Sequence, residues 1–136
     1  MTPNDIQGRG SLEVCKAFTF EAAHYFNHRP DGHPNARIHG HSFRVEVVVE
    51  GQPDPRSGWI VDLGALAGDL DRLRDTLDHR LLNEIEGLET PALESLAMWI
   101  AGRLLDNYPR LRSVTVSRPT CFESATFRLD TEQIWP

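Results

Sequence analysis

Five of the chain's six histidines, His24, His28, His33, His39 and His41, fall between positions 24 and 41. Gly40 alone separates His39 from His41, so on an extended strand both imidazoles project to one face, with Gly40 removing bulk between them. Two converging neutral imidazoles suit Zn²⁺, and a catalytic zinc site adds a third protein ligand while leaving a position for water or substrate. His24, at the end of a predicted first strand, is the simplest third ligand, because an antiparallel neighbour brings it beside His39; Glu21, His28 and His33 are the other candidates. An isolated His-x-His pair is more often an accident of surface composition. The crowding of further histidines around this one favours a metal site.

Asp78-His79, in LDHRLLN, is a second constellation. A carboxylate against an imidazole fixes its tautomer and raises its basicity, which suits a general acid or base. Adjacent residues on a helix do not face each other, so direct pairing here requires a loop conformation.

The elements that must hold these residues are read from periodicity. Phe43, Val45, Val47 and Val49 alternate with Arg44, Glu46, Val48 and Glu50, which predicts a strand over 43–50 with one buried face; 12–22 reads as a first strand. GQPDPRSG, 51–58, is a turn-rich break. Leu63, Leu66, Leu70, Leu73 and Leu77 recur at helical spacing. Thr90-Pro91 reads as an N-cap followed by proline at the first helical position, ahead of a stripe of Leu93, Leu96, Ala97, Ile100 and Leu104. Val114 and Val116, then Ala125 to Leu129, supply two more strands. The order ββααββ predicts an α+β fold, an antiparallel sheet with two helices on one face and edge strands that invite self-association. Residues 1–11 are expected to be a flexible polar arm and 12–136 a single domain.

Composition excludes several classes. A formal net charge of −6 opposes non-specific nucleic-acid binding, and no apolar run approaches the roughly 20 residues needed to span a bilayer. The opening MTPNDIQGRGS lacks the basic-then-apolar order of a secretory signal, and two cysteines, Cys15 and Cys121, fit a reducing compartment; a cytoplasmic location is expected. Cys15, within the first strand, is expected to be a small buried hydrophobe.

Taken together, FTFEAAH (18–24), HGHSF (39–43), GWIVDL (58–63), LDHRLLN (77–83) and GLETP (87–91) resemble the 6-pyruvoyl-tetrahydropterin synthase family, nearest its bacterial 6-carboxy-tetrahydropterin synthase branch of the 7-deazaguanine (queuosine) pathway. The likeness is collinear over about residues 12 to 129. It implies the tunnelling fold, in which ββααββ subunits join their sheets into an oligomeric β-barrel, usually trimers stacked into a hexamer. It also implies zinc on the positions of His24, His39 and His41 and a catalytic dyad at Asp78 and His79. The substrate it implies is dihydroneopterin triphosphate, whose side-chain hydroxyls zinc grips as a Lewis acid.

Two positions depart from the family pattern. The cysteine base of Cys-x-x-x-His-Gly-His is replaced by Asn35, whose amide cannot take a proton near neutral pH. The glutamate that binds the guanidine-like edge of the pterin aligns with Pro119, leaving Glu123 as a possible substitute. Replacement bases are sought in His33, Glu123 and Cys121. Arg29, Arg37 and Arg44 are candidates for the triphosphate, and Trp59 and Phe122 for stacking on a flat ring. The expectation is a zinc-dependent lyase with an altered reaction or substrate. The alternatives are a zinc-dependent lyase or cyclase of specialised metabolism on a non-pterin compound, and a non-catalytic ligand-binding or scaffold homologue.

Overall fold

The computed structural model describes residues 1–28, 30 and 32–130. Strands β1 (Leu12–His24), β2 (His39–Gly51), β3 (Leu111–Arg118) and β4 (Glu123–Arg128) form an antiparallel sheet in the order β1-β2-β3-β4. Helix α1 (Pro3–Ile6) is one exposed turn, closed by the Asp5 carboxylate accepting from the Thr2 N–H and hydroxyl. The arm predicted over 1–11 therefore contains local helical structure. Residues 131–136 of the predicted domain lie outside the described residues.

Alternation decides which side of the sheet is core. Phe20 and Ala22 of β1, Phe43, Val45, Val47 and Val49 of β2, and Val114 and Val116 of β3 are buried, and α2 (Leu63–Leu77) and α3 (Leu93–Leu104) cover them. Helix α2 starts where the Asp62 carboxylate accepts from the Gly64 and Ala65 N–H groups, satisfying donors no helical carbonyl can reach. Its stripe is Leu66, Leu70, Leu73 and Leu77; Leu63, the first residue of the helix next to its Asp62 cap, is exposed. The predicted stripe of α3 is buried throughout. Its start lies later than expected: Ser95 Oγ accepts from the Ala92 N–H and donates to the Thr90 carbonyl, which keeps Thr90-Pro91 outside the helix.

The strands also run further than the alternation of 43–50 indicated. Strand β2 begins at His39 and pairs with β1 through to His24↔His39 and Ala22↔His41. Past α2 the chain returns along the free edge of β1, with Ala23↔Leu81 bridged in parallel. Cys15 is exposed, contrary to expectation, because its register places it with Val48 and off the core parity. Among the described residues no helix is long and apolar enough to cross a membrane.

Candidate metal centre and acid–base pair

The core parity of β1 and β2 continues past Phe20 and Phe43 into histidines. His24, directly opposite His39, is 1% exposed, and the ring centroids of the three imidazoles lie 4.6 Å (His24–His39), 5.1 Å (His24–His41) and 4.9 Å (His39–His41) apart. One potential ligating nitrogen from each falls within 4.8 Å of the others. His24 Nδ1 lies 2.8 Å from the Pro91 carbonyl, and His39 Nδ1 lies 2.8 Å from that of Arg37. A carbonyl only accepts, so each Nδ1 carries the proton and each Nε2 is left with its lone pair.

The Nε2 atoms of His24 and His41 are buried without a hydrogen-bond partner among the described residues. Orphaned buried polar atoms are costly, and a cation held by their lone pairs removes the cost. Burial pushes the His24 pKa down to about 4, and it lowers that of His41 as well. Both rings are thus held in the neutral form that ligates metal. The donor set fits Zn²⁺. Gly40 does not make the room: its side of the strand is the opposite one, where an added Cβ would meet only the Ala22 carbonyl at 3.4 Å, an ordinary contact.

The other candidate ligands, Glu21, His28 and His33, do not join this group. The Glu21 carboxylate accepts from the Ser42 hydroxyl, and His33 Nδ1 accepts from the Asn35 N–H. His28 lies against Phe26, their ring centroids 5.7 Å apart. Cys121, by contrast, comes within 3.9 Å of His41 Nδ1 through its sulfur.

Asp78 ends α2, and His79 sits at φ +58, the left-handed region that costs a side-chain-bearing residue energy. That is the loop conformation the pairing requires, and it brings His79 Nδ1 to 2.8 Å from Asp78 Oδ2. The other carboxylate oxygen accepts the Glu21 N–H at 2.9 Å, while the His79 N–H donates to the Glu21 carbonyl at 2.6 Å. The Glu21 hydrogen bond and then that of His79 hold the Asp78 carboxyl below the usual range. The pair is locked to the edge of β1, with Nδ1–H of His79 committed to Asp78 and Nε2 open. His79 and His41 line one cleft of about 650 Å³, together with Ser42, Arg80 and Thr120.

Glu123 stands across the β3–β4 register from Arg118 and accepts from Arg118 Nη2 at 2.6 Å. Asn35, His28, Arg118 and Glu123 line a second groove, of about 1050 Å³, over which Phe122 is 96% exposed. Sequence reasoning missed Arg118, although its parity with Val114 and Val116 marks a charge aimed at the core face. Of the arginines weighed from sequence, Arg44 pairs with Glu46 on the opposite face, Arg37 is exposed and Arg29 lies outside the described residues. Trp59 is 58% exposed.

Comparison with known proteins accords with this architecture. The profile of the family described as 6-pyruvoyl tetrahydropterin synthase matches residues 13–130. A 6-carboxy-5,6,7,8-tetrahydropterin synthase of Synechocystis is 38% identical over 120 residues, covering 84% of this chain and 91% of its own. A dihydroneopterin monophosphate aldolase of Pyrococcus furiosus is 36% identical over 95 residues, covering 70% and 78%. The solved 6-pyruvoyl tetrahydropterin synthase of Caenorhabditis elegans superposes with a TM-score of 0.78 at 26% identity, covering 89% of this chain and 97% of that one. With a matching profile along nearly its whole length and the same sheet and helices, the chain belongs to the 6-pyruvoyl tetrahydropterin synthase family.

Proposed function

We propose that the chain is a zinc-dependent carbon–carbon lyase that cleaves the hydroxylated side chain of a reduced pterin between two of its carbons by a retro-aldol reaction. The observation that carries this reading is the pairing of an imidazole triad fit for zinc with a single acid–base pair, while Asn35 occupies the position of the family's second base. Removal of triphosphate by elimination needs an additional carbon acid deprotonated. A retro-aldol cleavage needs one group that takes a proton from oxygen and returns it to carbon. The relative named an aldolase and those named 6-carboxy-tetrahydropterin synthases support the reaction class and the pterin class in turn.

His24, His39 and His41 would hold the zinc, which when bound acts as a Lewis acid on the side-chain hydroxyl oxygens. His79 Nε2 accepts the hydroxyl proton, and Asp78 stabilises the imidazolium that results. The bond between the two hydroxyl-bearing carbons breaks, and its electron pair passes into the C=N bond of the dihydropterin ring. The same imidazolium then returns the proton to the carbon left on the ring, so a hydroxymethylpterin and a two-carbon or longer aldehyde leave with atoms balanced. Asp78→Asn should lower kcat by about 10²–10⁴-fold with little change in zinc content, because it removes the group that orients His79. Cytoplasmic location, on two free thiols, and self-association through the open edges of β1 and β4 into a trimer or hexamer complete the proposal.

A second reading, a zinc-dependent lyase on a non-pterin hydroxy compound, is favoured by Pro119 at the pterin-binding position and by the engagement of Glu123 with Arg118. Anaerobic incubation of the zinc-loaded protein with dihydroneopterin triphosphate and monophosphate, read by product mass, decides between them. Hydroxymethyl-dihydropterin formed by the natural chain and not by His79→Ala supports the proposal. A pterin that retains all its side-chain carbons after losing triphosphate shows elimination instead, and no pterin binding at all moves the assignment to the second reading.

A further inference from the structure

The alternation that buries Val114 and Val116 carries on to Arg118, placing a guanidinium on the helix-covered side of the sheet beside the histidines. Its side chain is 16% exposed. Nη2 is spent on Glu123, but Nε is buried and has no hydrogen-bond partner among the described residues. Arginine stays charged at any pH a folded protein tolerates, so this is a buried, permanently cationic donor with an acceptor missing. Its charge reaches the triad: it is one of the influences that lower the proton affinity of both His24 and His41. One carboxylate contacts it, from the neighbouring strand, and that carboxylate is itself about half exposed. Three neutral imidazoles, for their part, leave the charge of a divalent ion uncompensated.

We propose that Arg118 is the specificity-determining residue of this site, taking up an anionic oxygen, a carboxylate or a phosphate, that the substrate carries beside the oxygens gripped by the metal. The inference rests on reading the triad as a metal centre and adds the chemical class of substituent its ligand must bear. A guanidinium presents its donors as a planar fork, so the Nε edge suits an oxyanion better than a neutral hydroxyl. Glu123 is then a competitor that holds the fork in place until the anion arrives. That assignment also accounts for a glutamate that is ion-paired and not open to a guanidine-like ring edge.

Inorganic phosphate and glycolate, titrated at fixed ionic strength into zinc-free and zinc-loaded protein by calorimetry, test the assignment. At least one anion should bind, with affinity about tenfold lower or worse in Arg118→Gln, the size expected when a charge-assisted hydrogen bond is lost. Glu123→Gln should bind the anion more tightly than the natural chain, since the competing carboxylate is gone. The better of the two anions identifies the source, a carboxylate or a phosphoryl group. Anion binding that ignores Arg118→Gln, weakens in Glu123→Gln, or fails for both probes overturns the assignment. Should Arg118→Gln not fold, judged by circular dichroism, the Glu123→Gln arm decides alone. Elemental analysis of the same samples reads the metal separately. Zinc absent from every protein removes the metal reading and this inference with it, whereas full zinc with Arg118-independent anion binding removes only the inference.

Discussion

An imidazole that is to hold a cation must first be kept from protons, and His24 is kept from them by burial. The fold holds it neutral down to about pH 4, whereas the unfolded chain protonates it near the usual 6.5. Between those values the unfolded state carries the extra proton, so the stability of the zinc-free protein should fall as pH drops from about 6.5 to about 4 and level off below. The loss attributable to this residue is about 3 kcal/mol. Urea unfolding across that range, in the natural chain and in His24→Gln, checks it; an equally steep decline in the variant would sink the idea. At this scale much was legible in the sequence. A period of two places His39 and His41 on one face, and antiparallel pairing offers His24 as the third. The loop geometry demanded for Asp78-His79 is met by a left-handed His79. Cys121 and Glu123 were candidates for the missing base, but their partners were not legible: one lies beside His41 and the other is tied to Arg118. Those contacts depend on the turn at Pro119–Cys121 and a left-handed Phe122, which no side-chain periodicity encodes.

Among the elements, α3 carries the clearest mechanical duty. Leu96, Ala97 and Ile100 bury its inner face, and the segment just before it supplies the Pro91 carbonyl that orients His24. Leu96→Ala should cost about 2–5 kcal/mol, because a wholly buried side chain is lost and its neighbours close the cavity only in part. Denaturant midpoints give the cost directly. Zinc stoichiometry in the folded variant should stay at the natural value, since no ligand or ligand-orienting group is removed. Both long helices were visible as leucine stripes, and α2 has the predicted bounds. The start of α3 was misplaced because Ser95 folds back onto Ala92 and Thr90, a local side-chain bond that competes with the cap the sequence pattern favoured.

For the whole molecule, the open question is what covers the two outer strands. Among the described residues, backbone pairing on the outer edges of these strands is seen at one end of β1, where residues 79–81 run beside it. Strand edges left open are templates for another chain. The protein should therefore sediment as a trimer or larger, and dilution should not release monomer before it unfolds; a stable monomer in analytical ultracentrifugation would defeat this expectation. The order β1-β2-β3-β4 is set by the pairing of β2 with β3, while the antiparallel sheet and the helices on one of its faces followed from ββααββ and alternation. The partition of functional groups between two clefts did not, because it depends on where the chain goes after α2.

The direct opposition of His24 and His39 has one more consequence. These residues are the last paired positions of a hairpin, so an ion shared between them would act as a clasp at the root of the 25–38 loop. Such a clasp lowers the entropy cost of holding the two ends of the loop together. Chelation should then act as a local solvent-exchange switch. Amide exchange would quicken near Ala23, His24 and Gly40 as the hairpin frays from its loop end, while Val45 and Val47, deep in the ladder, keep their protection.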